Sequence, residues 1–172
     1  RLQLATRVLL LGPGPGLVLV LGLGLDSVAQ LNLGYRYRDG IGCEQNYERA
    51  AEWFEKAACQ GHAGAQLNLG FAYYHGQGVL QSDERAFELF IQSAAQGDPQ
   101  AQRYIGHCFR EGRGCKQSYE RAAEWYKKAA RQGDADAQAS LATCYSYGLG
   151  VTQSHERAVE LFKKSVAQGQ PT

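Results

Sequence analysis

The chain has 172 residues, 44% of them hydrophobic and 20% charged, which is enough apolar content for a packed domain and excludes a disordered chain. Eighteen Lys and Arg against seventeen Asp and Glu leave a formal charge of +1, without the basic excess that binds phosphate through counterion release, so nucleic acid is not an expected partner. Glycine contributes 21 residues, about 12% against roughly 7% in average proteins, yet only 4 residues are proline; a collagen-like or Pro/Gly-rich chain is excluded and the excess must have a positional cause.

Residues 1–25 form an apolar, Gly- and Leu-rich leader. Val8 to Leu25 carries no charge between Arg7 and Asp26; it is slightly short for a spanning helix, and Gly12, Pro13, Gly14, Pro15 and Gly16 interrupt it. Three readings stay open. Leu17, Val18 and Leu21 match slots of the downstream helices and would cover the first unit as a cap. The stretch would otherwise be a membrane anchor or export segment, although it lacks an Ala-x-Ala exit, and a membrane is a partner only in that case. The third reading is a stretch outside the native structure. Leu17 to Gly24 also resembles a strand feeding a dinucleotide loop, but Ser27 stands where a third glycine belongs and no parallel-sheet unit follows, so no cofactor is expected.

From Asp26 onward a pattern recurs every 36 residues. Ala29-Gln30-Leu31-Asn32-Leu33-Gly34 returns at Ala65, Ala101 and Ala137; Gly-x-Gly follows at Gly40/Gly42, Gly76/Gly78, Gly112/Gly114 and Gly148/Gly150. Glu-Arg-Ala comes next at Glu48, Glu84, Glu120 and Glu156, and Gln-Gly closes each unit at Gln60, Gln96, Gln132 and Gln168. The repeat domain spans 26–172, with units 29–64, 65–100, 101–136 and 137–172.

Each unit reads as two helices. In the first, Ala29, Leu33 and Tyr37 are spaced by four and share a face; Asp26, Asp98 and Asp134 stand as N-caps, with Pro99 at the first helical position. Gly-x-Gly ends this helix. The second opens after Asn46, Ser82, Ser118 or Ser154 as caps, with Glu48, Glu84, Glu120 or Glu156 facing the positive end of the helix dipole. Its apolar slots, such as Ala50, Trp53, Phe54, Ala57 and Ala58, follow helical spacing, and Glu52/Lys56, Glu124/Lys128 and Glu160/Lys164 are placed for i,i+4 pairs. The glycine after each Gln is a left-handed C-terminal residue. Gly34, Gly70 and Gly106 let the helices approach closely. No hairpin buries such a face alone, so the expected fold is all-α: a right-handed α-solenoid of antiparallel helix hairpins in which each unit contacts its neighbours. Thr172 completes the fourth unit without a polar terminal helix; the array is expected to continue beyond it or to self-associate through that uncapped repeat.

The pattern Ala-x-x-x-Leu-Gly-x-x-Tyr-x-x-Gly-x-Gly, then Ala-x-x-Trp-(Phe/Tyr)-x-x-Ala-Ala-x-x-Gly, resembles the Sel-1-like repeat, a relative of the tetratricopeptide repeat, over residues 26 to 169. Ala142 departs from the glycine, Phe109 from the tyrosine, and Cys43 and Cys115 from the loop valine of Val79 and Val151. The resemblance implies a non-catalytic adaptor whose first helices line a concave surface that binds another protein or peptide. The slots implied as ligand-facing vary from unit to unit and include Tyr35, Arg38, Phe71, Tyr74, His75, Arg103, His107, Arg110 and Tyr147. Aromatics interspersed with Arg carry binding energy at interfaces, and Arg103 with Arg110 is placed to grip a carboxylate of an acidic terminus or side chain. The cysteines, read as reduced thiols, point to the cytoplasm, with the secretory pathway or periplasm as the alternative. The runner-up function implied by one branch of the family is a secreted or envelope-associated bacterial repeat protein with weak β-lactam binding or hydrolysis.

The residues themselves suggest no catalysis. There is no Gly-x-Ser-x-Gly, P-loop or His-Glu-x-x-His, and the polar residues that repeat do so four times, as scaffold residues do. His62, His75, His107 and His155 form no paired metal motif. Five cysteines favour reduced thiols acting as small apolar residues, with a Cys108–Cys115 bridge left open.

Overall fold

The computed structural model describes residues 26–169, so the readings of the leader, including the cap from Leu17, Val18 and Leu21, concern residues outside that range. The described residues form eight helices and no strand: α1 (Ser27–Asp39), α2 (Tyr47–Cys59), α3 (Ala63–His75), α4 (Asp83–Ala95), α5 (Pro99–Glu111), α6 (Tyr119–Arg131), α7 (Ala135–Tyr147) and α8 (His155–Gly169). Successive helices pair as hairpins, α1 with α2 through α7 with α8, and α2, α4 and α6 each lie against the helix that opens the next hairpin. This is an α-solenoid.

Local chemistry sets the helix boundaries. Asn46, Ser82 and Ser118 accept the backbone N–H of Arg49, Arg85 and Arg121, and Ser154 accepts that of Arg157. Asp98 and Asp134 cap α5 and α7 in the same way. Asp26 and His62 precede α1 and α3 without a side-chain cap bond. Each odd-numbered helix ends on a left-handed glycine, for instance Gly112 at φ 74°, whose N–H returns to Cys108 O. A loop glutamine then turns back: Gln45, Gln81, Gln117 and Gln153 donate to the carbonyls of Arg38, Tyr74, Arg110 and Ser146, which the ending helix leaves without partners.

Two repeated motifs meet inside each hairpin. The glutamine of Gln-Gly donates its amide to the glutamine of Ala-Gln: Gln60 to Gln30, Gln96 to Gln66, Gln132 to Gln102 and Gln168 to Gln138. The Ala-Gln glutamines are buried, and these bonds satisfy amides that would otherwise be left without partners. The arginine of Glu-Arg-Ala lies over the aromatic ring of the first helix, 5.6 Å for Arg49 on Tyr37, 5.4 Å for Arg85 on Tyr73, 5.5 Å for Arg121 on Phe109 and 5.6 Å for Arg157 on Tyr145. These constant residues hold the hairpin together.

The core runs between the two helix layers. Phe54, Phe90 and Tyr126 are buried on α2, α4 and α6, each with its ring against Gly34, Gly70 or Gly106. A Cβ at Gly70 would come within 2.6 Å of the Phe90 ring, so the glycine permits the close approach. In the fourth hairpin Ala142 takes the glycine slot and Phe162 the ring slot, where it is 40% exposed. Val159 and Val166 on the same helix are also exposed, whereas Ala51, Ala58, Ala94 and Ala123 in matching slots are buried beneath the following hairpin.

One expectation needs correction. Glu52/Lys56, Glu124/Lys128 and Glu160/Lys164 are not among the ion pairs of the described residues; the Lys56 and Lys128 ammonium groups lie 4.2 and 4.0 Å from the ring centroids of Trp53 and Trp125, three residues earlier. The indole offers a face on the same turn, and covering it keeps the ammonium hydrated while its stem buries apolar surface.

Candidate functional site

The odd-numbered helices form one layer, joined by side chains that bridge successive hairpins. Arg38 of α1 donates to Asn68 Oδ1 of α3 at 2.9 Å, and Asn68 Nδ2 donates to Tyr35 Oη at 3.0 Å and to Gly64 O at 2.6 Å. The Arg38 guanidinium also lies 4.8 Å from the centroid of the Tyr35 ring and pairs with Asp39 at 2.7 Å. That hydrogen bond to Asp39 raises the arginine's pKa and lowers the carboxyl's. Phe71 sits one turn further along α3, its ring 4.5 Å from that of Tyr104 on α5. These groups border an open concavity of about 630 Å³ lined by Tyr35, Arg38, Asn68, Phe71 and Gln100 among others. A recess of about 260 Å³ adjoins it, sharing Arg38, Asn68 and Phe71 and reaching Tyr47, His75 and Tyr104.

The expected ligand-facing residues therefore separate. Tyr35, Arg38, Phe71 and His75 border this connected hollow. Tyr74 is buried in the core, with the Arg113 guanidinium 3.5 Å from its ring centroid and its Oη 3.4 Å from Glu111. Arg103 has only 13% of its side chain exposed and is paired with Asp134 at 3.1 Å and Asp136 at 3.4 Å, tying α5 to the start of the fourth hairpin. Arg110 pairs with Glu111 at 2.6 Å. Both guanidinium groups that sequence reasoning assigned to an incoming carboxylate thus already hold one from this chain. Tyr147 is exposed at the end of α7.

His107 is half-buried, its Nδ1 3.0 Å from Tyr126 Oη. Burial, helped by Arg110 and Arg103, lowers its pKa from 6.5 to about 4, while burial raises that of the Tyr126 phenol, so a neutral hydroxyl and a neutral imidazole share this hydrogen bond. The unfolded histidine takes up its proton near pH 6.5 and the folded one only near 4. Its contribution to stability is therefore complete above pH 6.5 and is lost as the pH falls toward 4. Thermal melts should show a steeper loss between these values for the parent than for His107→Gln; parallel profiles would refute the assignment.

All five thiols are free: Cys108 and Cys144 are buried, Cys43 and Cys59 exposed, and Cys115 lies between. Burial pushes the Cys108 thiol up to about 12. Among the described residues no three His, Cys, Asp or Glu side chains gather as a metal site, and no helix is long and apolar enough to cross a membrane.

The Sel1 repeat pattern matches residues 27–62, 63–98, 99–134 and 135–170, one match for each hairpin. The chain belongs to the Sel1 repeat family. Such proteins are generally non-catalytic scaffolds for protein interactions. Two solved structures share both fold and sequence: a protective antigen of uropathogenic Escherichia coli with an SLR fold (35% identity, TM-score 0.78) and a Sel1 repeat protein of Oxalobacter formigenes (34% identity, TM-score 0.79). Each alignment covers 84% of this chain, but only 31% of the first structure and 60% of the second, so the chain spans less than two thirds of either relative. Helicobacter pylori cysteine-rich protein B (21% identity, TM-score 0.57, 73% of this chain and 90% of that one) shares the fold. No curated protein sequence matches significantly.

Within this Sel1 repeat array, sequence reasoning missed Asn68 and Tyr104, whereas Gln100, which varies from unit to unit, was among the expected slots. Asn68 was absorbed into the recurring Ala-Gln-Leu-Asn run, yet its slot reads Asn32, Asn68, Tyr104 and Ser140. That variation is the signal that could have grouped it with the other residues lining the hollow.

Proposed function

We propose that this Sel1 repeat chain is a non-catalytic adaptor that holds an extended segment of another protein along the layer of α1, α3 and α5. The observation that supports this most is the connected hollow of about 630 and 260 Å³, in which Arg38 and Asn68 are already oriented by mutual hydrogen bonds beside Tyr35 and Phe71. Pre-ordered polar groups beside aromatic surface reduce the entropy lost on binding. Asn68 uses both amide hydrogens within the chain, so the groups left to meet a ligand are the outer edge of Arg38, the rings of Tyr35 and Phe71, His75 and Gln100. With Arg103 and Arg110 occupied by in-chain carboxylates, recognition rests on aromatic and amide contacts in the first three hairpins rather than on capture of an acidic terminus.

Peptides selected from a random library on the intact chain test this reading. The double variant Arg38→Glu/His75→Ala changes two hollow-lining side chains while leaving Phe71 in its packing against Phe90 and Tyr104. At least a tenfold loss of affinity with an unchanged helical spectrum is expected; full retention would reject the site.

A further inference from the structure

The opposite face of the array carries a second feature that the adaptor reading does not use. Two grooves open between the even-numbered helices and lie in equivalent places, 72 residues apart: Leu69, Tyr73 and Leu89 line one, and Leu141, Tyr145 and Leu161 the other. In the hairpin between them Trp125 stands in the slot of Leu89 and Leu161, where an indole replaces the smaller side chain. The two grooves share a backbone frame but differ in charge. The first has Arg85 against Glu55 and Glu88, one cation and two carboxylates, net −1. The second has Lys127, Arg131, Arg157 and Lys164 against Glu160 alone, four cations and one carboxylate, net +3, around a volume of about 460 Å³.

The cations of the second groove are not neutralised from within. The ion pairs among the described residues involve Arg38, Arg103, Arg110 and Arg113, and none reaches Lys127, Arg131, Arg157 or Lys164. Arg157 is held over the Tyr145 ring, as its counterparts are in the other hairpins, so Lys127, Arg131 and Lys164 are the variable charges. Glu55, Cys59 and Gln92 occupy their places in the first groove. A chain with a formal charge of only +1 therefore concentrates cations at one recess.

We propose that the groove between α6, α7 and α8 is a second docking site, taking an acidic peptide segment that seats one bulky apolar side chain on Leu141, Tyr145 and Leu161 while its carboxylates meet Lys127, Arg131 and Lys164. Charge complementarity selects an acidic partner. The recessed floor selects a peptide over a membrane surface, which is engaged by apolar side chains that project outward. A short cluster without an exposed aromatic platform likewise does not fit single-stranded nucleic acid. Since the hollow on α1, α3 and α5 shares no lining residue with this groove, the two sites are separable.

The probe is a labelled twelve-residue peptide of aspartate and glutamate around one central phenylalanine, titrated against the full chain by fluorescence anisotropy. Saturable binding is expected, weakening as salt rises. It should fall at least tenfold in Lys127→Glu/Arg131→Glu/Lys164→Glu. A comparable fall is expected in Leu161→Trp, which narrows the recess with the indole found at Trp125 while leaving the charges unchanged. Arg38→Glu/His75→Ala should bind the probe as the parent does, so the fate of this site and of the opposite hollow are read independently. Circular dichroism checks that each variant is folded. The proposal is overturned by absence of saturable binding to the parent, by unchanged affinity in both groove variants, or by preference for phosphatidylserine vesicles over the peptide.

Discussion

Replacing Gly114 with alanine is expected to destabilise the array by about 2–5 kcal/mol, whereas the same change at Gly42 should remove only about 1–2. Both residues are the second glycine of a Gly-x-Gly loop and both have positive φ, 68° and 76°. The left-handed strain of adding a Cβ is therefore common to the two. Their surroundings differ. A Cβ on Gly114 would strike the Asp83 carbonyl, lying 2.6 Å from its carbon and 2.9 Å from Phe87 Cβ; on Gly42 the nearest neighbour is the tip of Arg36 at 3.7 Å. Asp83 is the first residue of α4 in the preceding hairpin, so the obstacle is backbone that cannot rotate away. Gly78 and Gly150 meet the backbone of Tyr47 and Tyr119 in the same way. Arg113 beside Gly114 reinforces the junction, pairing with Asp83 at 2.6 Å and donating to Tyr74 O at 3.0 Å. Urea titrations of the two variants provide the comparison, and equal losses would show that the loop does not dock on the hairpin before it. Against a typical domain stability of about 5–15 kcal/mol, the loss at Gly114 is large enough to leave the chain partly unfolded at physiological temperature.

Phe90→Ala should cost about 3–5 kcal/mol and divide the unfolding transition. Its ring is fully buried, packed on Gly70, 5.5 Å from Phe71, 5.4 Å from Tyr104 and 6.1 Å from Tyr74. One side chain of α4 thus touches both α3 and α5, joining the second hairpin to the third. In a linear array stability comes from such nearest-neighbour interfaces, so a cavity here uncouples the units on either side. The two tryptophans give separate readouts, Trp53 in the first hairpin and Trp125 in the third. In single-tryptophan forms made with Trp125→Phe or Trp53→Phe, the parent should lose both signals at one urea concentration, and Phe90→Ala should separate them. Phe162, the equivalent ring in α8, is 40% exposed, and Phe162→Ala should cost less than half as much. Coincident tryptophan transitions in Phe90→Ala would argue against uncoupling.

The repeat, its helices and its caps are legible in the sequence because they depend on local chemistry. Asn46, Ser82, Ser118 and Ser154 cap helices by reaching the N–H three residues on, and no distant residue alters that. Glycines after Gln60, Gln96 and Gln132 adopt positive φ for the same local reason. The candidate site was only half legible. Variation between units identified Tyr35, Arg38, Phe71 and His75, which the fold gathers around one hollow. It gave no means of telling them from Tyr74 and Arg103, because burial and ion pairing in those two depend on residues about 30 to 40 positions away, as with Arg113 over Tyr74 and Asp134 beside Arg103.

What the sequence alone determined is the periodic part: the 36-residue unit, two helices in each, and the residues that terminate them. Tertiary structure decided which constant residues serve as ties between elements. It joined Gln30 to Gln60 and Arg49 to Tyr37 within a hairpin, and it placed Gly114 against the hairpin before it. It also decided where charge collects, since Lys127, Arg131 and Lys164 lie on two helices and meet only when α6 and α8 flank α7. The physical reason is range. Helix caps and hydrophobic spacing act over one turn and are written in adjacent residues, whereas grooves, ion pairs and close backbone contacts arise only when stacking brings separate turns together.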